Sequence, residues 1–250
     1  MPLRTRTLPA AALLCAGALL TGCGAGTDAQ APPAVTDAKP GDAPGRPAAQ
    51  TVPVADISGL GPRTMAEIPA ESRQVLVVTG EGRDSSASAV ALHVRDPEKG
   101  WQRTAGPWTA HNALRGWTEE HREGDLRSPI GVFGLTGAGG LLPDPGTALP
   151  YDQGPEFTIS GRGFEGEPLD GSFDYVVAID YNREPGTSPL DRARPMGGER
   201  GGGIWIHVDH GGPTQGCVSL SLEHMRELLR ALDPGLHPVV VMGDARTLRR

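Results

Sequence analysis

The sequence predicts a mainly β fold, a sandwich or mixed sheet with one main helix near its C-terminal end. Three observations predict it. Apolar runs are short and several alternate with polar residues, the two-residue period of a half-buried strand. Glycine (36) and proline (24) are frequent among the 250 residues and break the chain at short intervals. Only one stretch, after position 221, repeats its leucines at helical spacing.

The chain opens with Arg4 and Arg6 before a short run of Ala, Leu, Cys and Gly over 8–20, the composition of a signal peptide. The run is shorter than the roughly 20 apolar residues that a membrane span needs. It ends in Leu20-Thr21-Gly22-Cys23, which resembles the bacterial lipobox. That resemblance implies cleavage before Cys23 and attachment of lipid to its thiol. Residues 1–22 are therefore read as a lipoprotein signal peptide, and more than one acyl chain would anchor the protein stably. The expected location is extracytoplasmic, on the cell membrane and facing the cell wall. Residues 23–65 are rich in Ala, Pro, Gly, Asp and Thr with almost no large apolar side chain, and are expected to form a disordered tether. The folded domain is assigned to 66–250.

Within that domain, residues 74–79 (QVLVVT) read as a buried strand and 88–95 as an alternating one. Turn residues 96–100 lead to a returning strand over 101–104, and 108–114 reads as a further short strand. Ile130, Val132 and Leu135 suit another, with glycines where a second backbone comes close. Residues 137–172 are glycine-rich and read as loops. Residues 173–181 (FDYVVAIDY) give the strongest strand signal, and 183–203 reads as loop. After a strand over 204–208, Leu222, Met225, Leu228, Leu229 and Leu232 mark a helix, with Ser221 as its N-cap. Asp233-Pro234-Gly235 ends it, and 238–242 closes as a strand. The net charge is −7 and the only lysines are Lys39 and Lys99, so no basic patch exists to track a nucleic-acid backbone.

Cysteine usage narrows the chemistry. Cys15 leaves with the signal peptide and Cys23 carries lipid, so Cys217 is the single free thiol of the exported chain. A nucleophilic cysteine needs an imidazole to take its proton and backbone N–H groups aimed at the oxyanion formed on attack. His207 ends the apolar run 204–208, nine residues separate it from Cys217, and Gly216 permits a tight turn just before the thiol. His210 is an alternative base. Asp209 joins His207 and His210 in a conceivable metal set with Cys217, but strand alternation puts His207 and Asp209 on one face and His210 on the other. No metal is expected. His111 and Asn112 read as a solvated polar pair.

Thr214-Gln215-Gly216-Cys217-Val218 resembles the [Ser/Thr]-His-Gly-Cys signature of the L,D-transpeptidase catalytic domain, the YkuD-like family. Ser128-Pro129-Ile130-Gly131-Val132-Phe133 resembles that family's Thr-Pro-x-Gly-x-Phe segment. The resemblance covers roughly residues 70–243 and implies a YkuD-like fold whose main helix follows the catalytic cysteine. It implies Cys217 as nucleophile and His207 as general base, oriented by a backbone carbonyl assigned to Val208, with Gly216 at the oxyanion site. Thr214, Gln215 and Ser219 become candidates for substrate contact. The implied partners are peptidoglycan stem peptides, attacked to release D-Ala and form a thioester that an amine of another stem resolves. No cofactor is implied, and a monomer is expected. Gln215 stands where the family commonly has histidine, Ser219 where it has arginine or asparagine, and the spacer from His207 to Cys217 is short. An L,D-carboxypeptidase using water as acceptor, and a catalytically silent wall-binding lipoprotein, are the alternatives.

Overall fold

The computed structural model describes residues 55–250. The signal peptide, Cys23 and most of the expected tether lie outside the described residues. Twelve strands and three helices follow in order: α1 (Pro62–Ala66), β1 (Gln74–Gly80), β2 (Ala87–Asp96), β3 (Gly100–His111), β4 (Trp117–Thr118), β5 (Ser128–Pro129), β6 (Gly131–Gly134), β7 (Gly137–Gly140), β8 (Tyr151–Gln153), β9 (Val176–Ala178), β10 (Trp205–Val208), β11 (Val218–Leu220), α2 (Leu222–Ala231), β12 (Val239–Asp244) and α3 (Ala245–Leu248). Ten of the strands form one curled mixed sheet in the order β6-β12-β1-β2-β3-β11-β10-β9-β7-β8, and β4 pairs with β5 apart from it. The mainly β class is as the sequence predicts.

The continuous apolar run of β1 has a simple cause. It lies beside β12, in parallel register from Val75 with Val239 to Gly80 with Asp244, and both faces of this central pair are covered. Leu76, Val78, Val240 and Met242 point into the larger core. Val75, Val77, Val239 and Val241 point into a second one with Ile57, Trp101 and Leu248.

Helix α2 closes the larger core. Met225, Leu228 and Leu229 recur at three- and four-residue spacing and are fully buried, each contributing about 1.5–3 kcal/mol of transfer free energy. Ser221 Oγ accepts the His224 N–H at 3.2 Å, the expected N-cap. Because the helix starts two residues after β11, its packing also fixes the strand that follows Cys217.

Four expectations need correction. The packed chain takes in residues 55–65 as well. Ala55 bridges to Gly100, Ile57 is 2 % exposed, and Leu60 and Met65 pack beside it. Three apolar side chains in a polar segment suffice here because the outer face of β1 and β12 awaits cover. The two strands expected over 101–104 and 108–114 are one, β3, which pairs along β2 with register shifts between Val90 and Leu92 and between Leu92 and His93. Residues 137–172 contain β7 and β8, whose glycine-rich sequence gives little strand signal. In the segment 173–181 only β9 is a strand. Phe173 and Asp174 turn their carbonyls to Leu141 and Leu142, and Asp180 turns its carboxylate to Thr136 and Arg183.

Candidate active site

Strands β10 and β11 run parallel, with Ile206 opposite Val218 and His207 opposite Ser219. Parallel neighbours usually need a crossover of a dozen or more residues. Here only residues 209–217 connect them, so the loop doubles back tightly and returns Cys217 beside the start of β10. The thiol Sγ lies 3.4 Å from the Trp205 N–H and 3.7 Å from the Gly203 carbonyl oxygen. Two hydroxyls hold the Cys217 carbonyl from the other side, Thr214 Oγ1 at 2.6 Å and Ser128 Oγ at 3.4 Å. Ser128 Oγ also accepts the Ala113 N–H at 3.1 Å, and Thr214 exchanges backbone bonds with Asn112 and Leu114. The two motif segments thus meet at one carbonyl. Gly216 adopts no unusual dihedral angle, and a methyl group there would sit 3.0 Å from Ile204 Cδ1, a tight contact to which that side chain would have to yield. Among the described residues, no turn or loop hydrogen bond uses the amides of Gln215, Gly216 or Cys217, which leaves them available as oxyanion donors.

His207 is 4 % exposed. Its Nδ1–H donates to the Val208 carbonyl oxygen at 2.9 Å, so Nε2 carries the free lone pair. Phe173 meets the ring edge-on at 5.5 Å, and His210 stacks over it at 5.8 Å. Burial holds the imidazole down, at about 4, although the Val208 bond and the nearby Asp209 charge work the other way. Burial likewise pushes the Cys217 thiol up to about 11, partly offset by the Trp205 N–H. At neutral pH the two groups are a neutral thiol and a neutral base.

Both line one cavity of about 350 Å³, together with His121, His210, Phe173 and Ile204. His210 Nδ1 lies 3.1 Å from Glu167 Oε1, off the hydrogen-bonding direction. Strand alternation misplaces His210 and Asp209, because β10 ends at Val208 and the chain has turned by then. His210 joins His207. Asp209 leaves it, and its Oδ1 accepts from Ser219 Oγ at 2.6 Å and lies 2.8 Å from His111 Nδ1.

The substrate-side candidates divide. Gln215 is exposed on the cavity rim. Thr214 touches the cavity, but it is 4 % exposed and its hydroxyl is spent on Cys217. Ser219 is fully buried under Asp209 and does not line the cavity, so it is not a substrate contact. His111 and Asn112 are not a solvated pair either. Asn112 is fully buried, accepting from Ser88 at 2.5 Å and donating to the Ser85 carbonyl at 2.9 Å. Among the described residues no group of three or more His, Cys, Asp or Glu side chains is placed to hold a metal ion.

Sequence reasoning missed three contributors to the cavity. His121 comes from a run of charged residues that reads as a solvated loop, and no local pattern sets it apart. Arg162 and Phe164 belong to the glycine-rich stretch and form another wall. Arg127, Arg183 and Arg194 are engaged in contacts within the protein. Arg127 pairs with Asp84 at 2.8 Å, Arg183 is buried against Asp180, and Arg194 donates to the Ala193 carbonyl at 2.7 Å.

Comparison with curated proteins and with solved structures returned no match. The family model of the L,D-transpeptidase catalytic domain, YkuD, matches residues 77–241, a span that runs from within β1 to within β12 and includes the Ser128–Phe133 segment, His207 and Cys217, and the chain belongs to that family.

Proposed function

We propose that the chain is a peptidoglycan L,D-transpeptidase working through a thioester on Cys217. The observation that carries this reading is one cavity holding both the Cys217 thiol and a His207 imidazole whose Nδ1 is tied to Val208. In the first half-reaction the thiol proton passes to His207 Nε2 as sulfur attacks the carbonyl before the terminal D-Ala of a tetrapeptide stem. The carbon–nitrogen bond then breaks, the departing amine takes the proton from Nε2, and a thioester remains. The second half-reaction transfers the acyl group to an amine of another stem and restores the thiol. With the base neutral and the thiol protonated at rest, proton transfer accompanies attack instead of preceding it. We also propose that Cys23 carries lipid and holds the enzyme outside the cell membrane, within reach of the wall.

The test is incubation of the full chain with a disaccharide tetrapeptide carrying diaminopimelate, with products read by mass spectrometry. A cross-linked dimer plus free D-Ala supports the proposal. Tripeptide without dimer assigns the enzyme to hydrolysis, and unchanged substrate refutes turnover of this stem. Cys217→Ala should lose the covalent adduct with a carbapenem, and an adduct that persists would place the nucleophile elsewhere.

A further inference from the structure

The transfer half-reaction has a proton requirement that His207 does not cover alone. An acceptor amine arrives at neutral pH as an ammonium. It must lose one proton before it can attack, and a second when the amide has formed. The second can return to the departing sulfur through His207. The first needs another base.

A second imidazole stands in the same cavity. His121 is 5 % exposed yet lines the pocket beside Cys217. Its Nδ1 lies 3.1 Å from Asp125 Oδ1. That carboxylate is itself fixed, because Oδ1 accepts the Arg127 N–H and Oδ2 the Arg122 N–H, each at 2.9 Å. That contact is off the hydrogen-bonding direction, so Asp125 acts on the ring as a nearby charge rather than as a hydrogen-bond acceptor. Tyr181 meets the ring edge-on at 5.3 Å and bonds its hydroxyl to the Arg200 carbonyl at 2.9 Å, so the ring cannot swing away cheaply.

The outer edge of this ring lies against Gly201 and Gly216. A methyl group built on Gly201 would lie 2.7 Å from His121 Nε2, and one built on Gly216 would lie 3.6 Å from its Cε1. Gly216 precedes Cys217, and Gly203, two residues after Gly201, offers its carbonyl to Sγ at 3.7 Å. The imidazole therefore sits between two glycine backbones that flank the nucleophile, with no side chain on either to screen it. Glu123 completes the corner. Its carboxylate also lines the cavity and lies 3.3 Å from the same built position on Gly201. An imidazole lone pair beside an anionic rim suits an incoming ammonium better than it suits water or the carboxylate of a departing amino acid.

Resting on the thioester reading above, we propose that His121, beside the Asp125 carboxylate, is the base that deprotonates the acceptor amine in the transfer half-reaction. Nε2 takes one proton from the ammonium. The neutral amine attacks the thioester carbonyl, the carbon–nitrogen bond forms, and the carbon–sulfur bond breaks. The sulfur leaves with the second proton, and His121 releases the first to water. His207 serves the thiol and His121 serves the acceptor, so the two imidazoles divide the halves of the reaction.

The experiment separates those halves on the full-length protein. Acylation is followed as D-Ala release and thioester mass with donor stem alone, and transfer as dimer formation after acceptor stem is added to the preformed thioester. His121→Gln should acylate within about threefold of the parent rate and transfer about 100-fold more slowly, the usual loss on removing a general base. Asp125→Asn, which keeps an oxygen for one of the two backbone amides, should reduce transfer about 10-fold and leave acylation intact. If His121→Gln does not fold, Asp125→Asn alone decides by the same two rates. Transfer at the parent rate in the folded variants, or acylation and transfer falling together, overturns the assignment of His121. Failure of the parent protein to form any thioester on Cys217 overturns the function proposed above instead.

Discussion

Replacing His207 with glutamine should flatten the acid sensitivity of folding, and the size of the effect follows from its burial. The imidazole falls from its ordinary 6.5 to about 4 on folding. Because the folded value is the lower one, the unfolded chain binds the extra proton. The stability owed to a neutral His207 is therefore fully present above pH 6.5 and is lost as pH falls toward 4. At about 1.4 kcal/mol per unit, the loss is about 2 kcal/mol by pH 5 and about 3 kcal/mol by pH 4. Asp209 and Asp244, whose carboxylates hydrogen bonds hold below their ordinary range, lose stability in the same direction. They are common to both proteins and cancel in the difference. Urea unfolding of parent and His207→Gln at pH 7.5, 6, 5 and 4.5 measures it. Above pH 7 the parent should be the more stable, because glutamine strands a polar amide beside Phe173, and the gap should narrow by about 2 kcal/mol toward pH 5. Parallel stability curves would refute a strongly depressed imidazole and with it a base that is ready and unprotonated at neutral pH.

Thr214→Val should destabilise the domain by about 1–2 kcal/mol, the range for losing a hydrogen bond to a buried carbonyl. It should slow carbapenem acylation more than Ser128→Ala does, because the threonine bond to the Cys217 carbonyl is 2.6 Å and the serine bond 3.4 Å. Equal acylation rates in the two variants would argue against that carbonyl as the anchor of the nucleophile. Starting the chain at residue 66 instead of 55 removes Ile57, Leu60 and Met65 from the second core and should cost about 3–5 kcal/mol in denaturant unfolding. An unchanged midpoint would return residues 55–65 to the tether.

The parts of the fold that local pattern decides were legible. The helix of the 222–232 stripe, its serine cap and the runs of β1, β2 and β12 follow from periodicity, because one covering layer or two is all their residues report. What was illegible depends on partners far along the chain. β7 is Gly137-Ala138-Gly139-Gly140, which has no strand propensity, and it exists because β8 and β9 close against it and a Cβ on Gly139 would strike Phe157. The FDYVVAIDY run promises nine residues of strand, yet three survive, since Asp180 finds Arg183 and Thr136.

The site divides in the same way. Cys217, His207 and the Val208 carbonyl lie within one short segment whose spacing carries their arrangement. Ser219 misled because its position in a motif says nothing of which neighbour claims its hydroxyl, and Asp209 claims it at 2.6 Å. His121 reaches the cavity only through the curl that brings the loop after β4 against Gly201 and Gly216, both far along the chain from it.

The raised thiol of Cys217 bears on its resistance to oxidants and alkylators. Oxidants and alkylators attack the thiolate. A cysteine near 8.5 is a few per cent thiolate at pH 7, whereas one pushed up to about 11 is about 300-fold less ionised. The burial that pushes the thiol up is the same burial that keeps His207 neutral, so the resting pair is inert until a bound carbonyl gives the sulfur something to attack. Iodoacetamide should then modify Cys217 in the folded protein at pH 7 more slowly than it modifies a small free thiol, by less than the loss in thiolate because a more basic thiolate is the stronger nucleophile. The rate should keep rising through pH 9 without levelling. On the proposed function, a carbapenem should acylate the same protein at pH 7 readily. Rapid alkylation at pH 7 with a plateau below pH 8 would mean a preformed thiolate–imidazolium pair, and the concerted transfer from sulfur to His207 Nε2 would have to be abandoned.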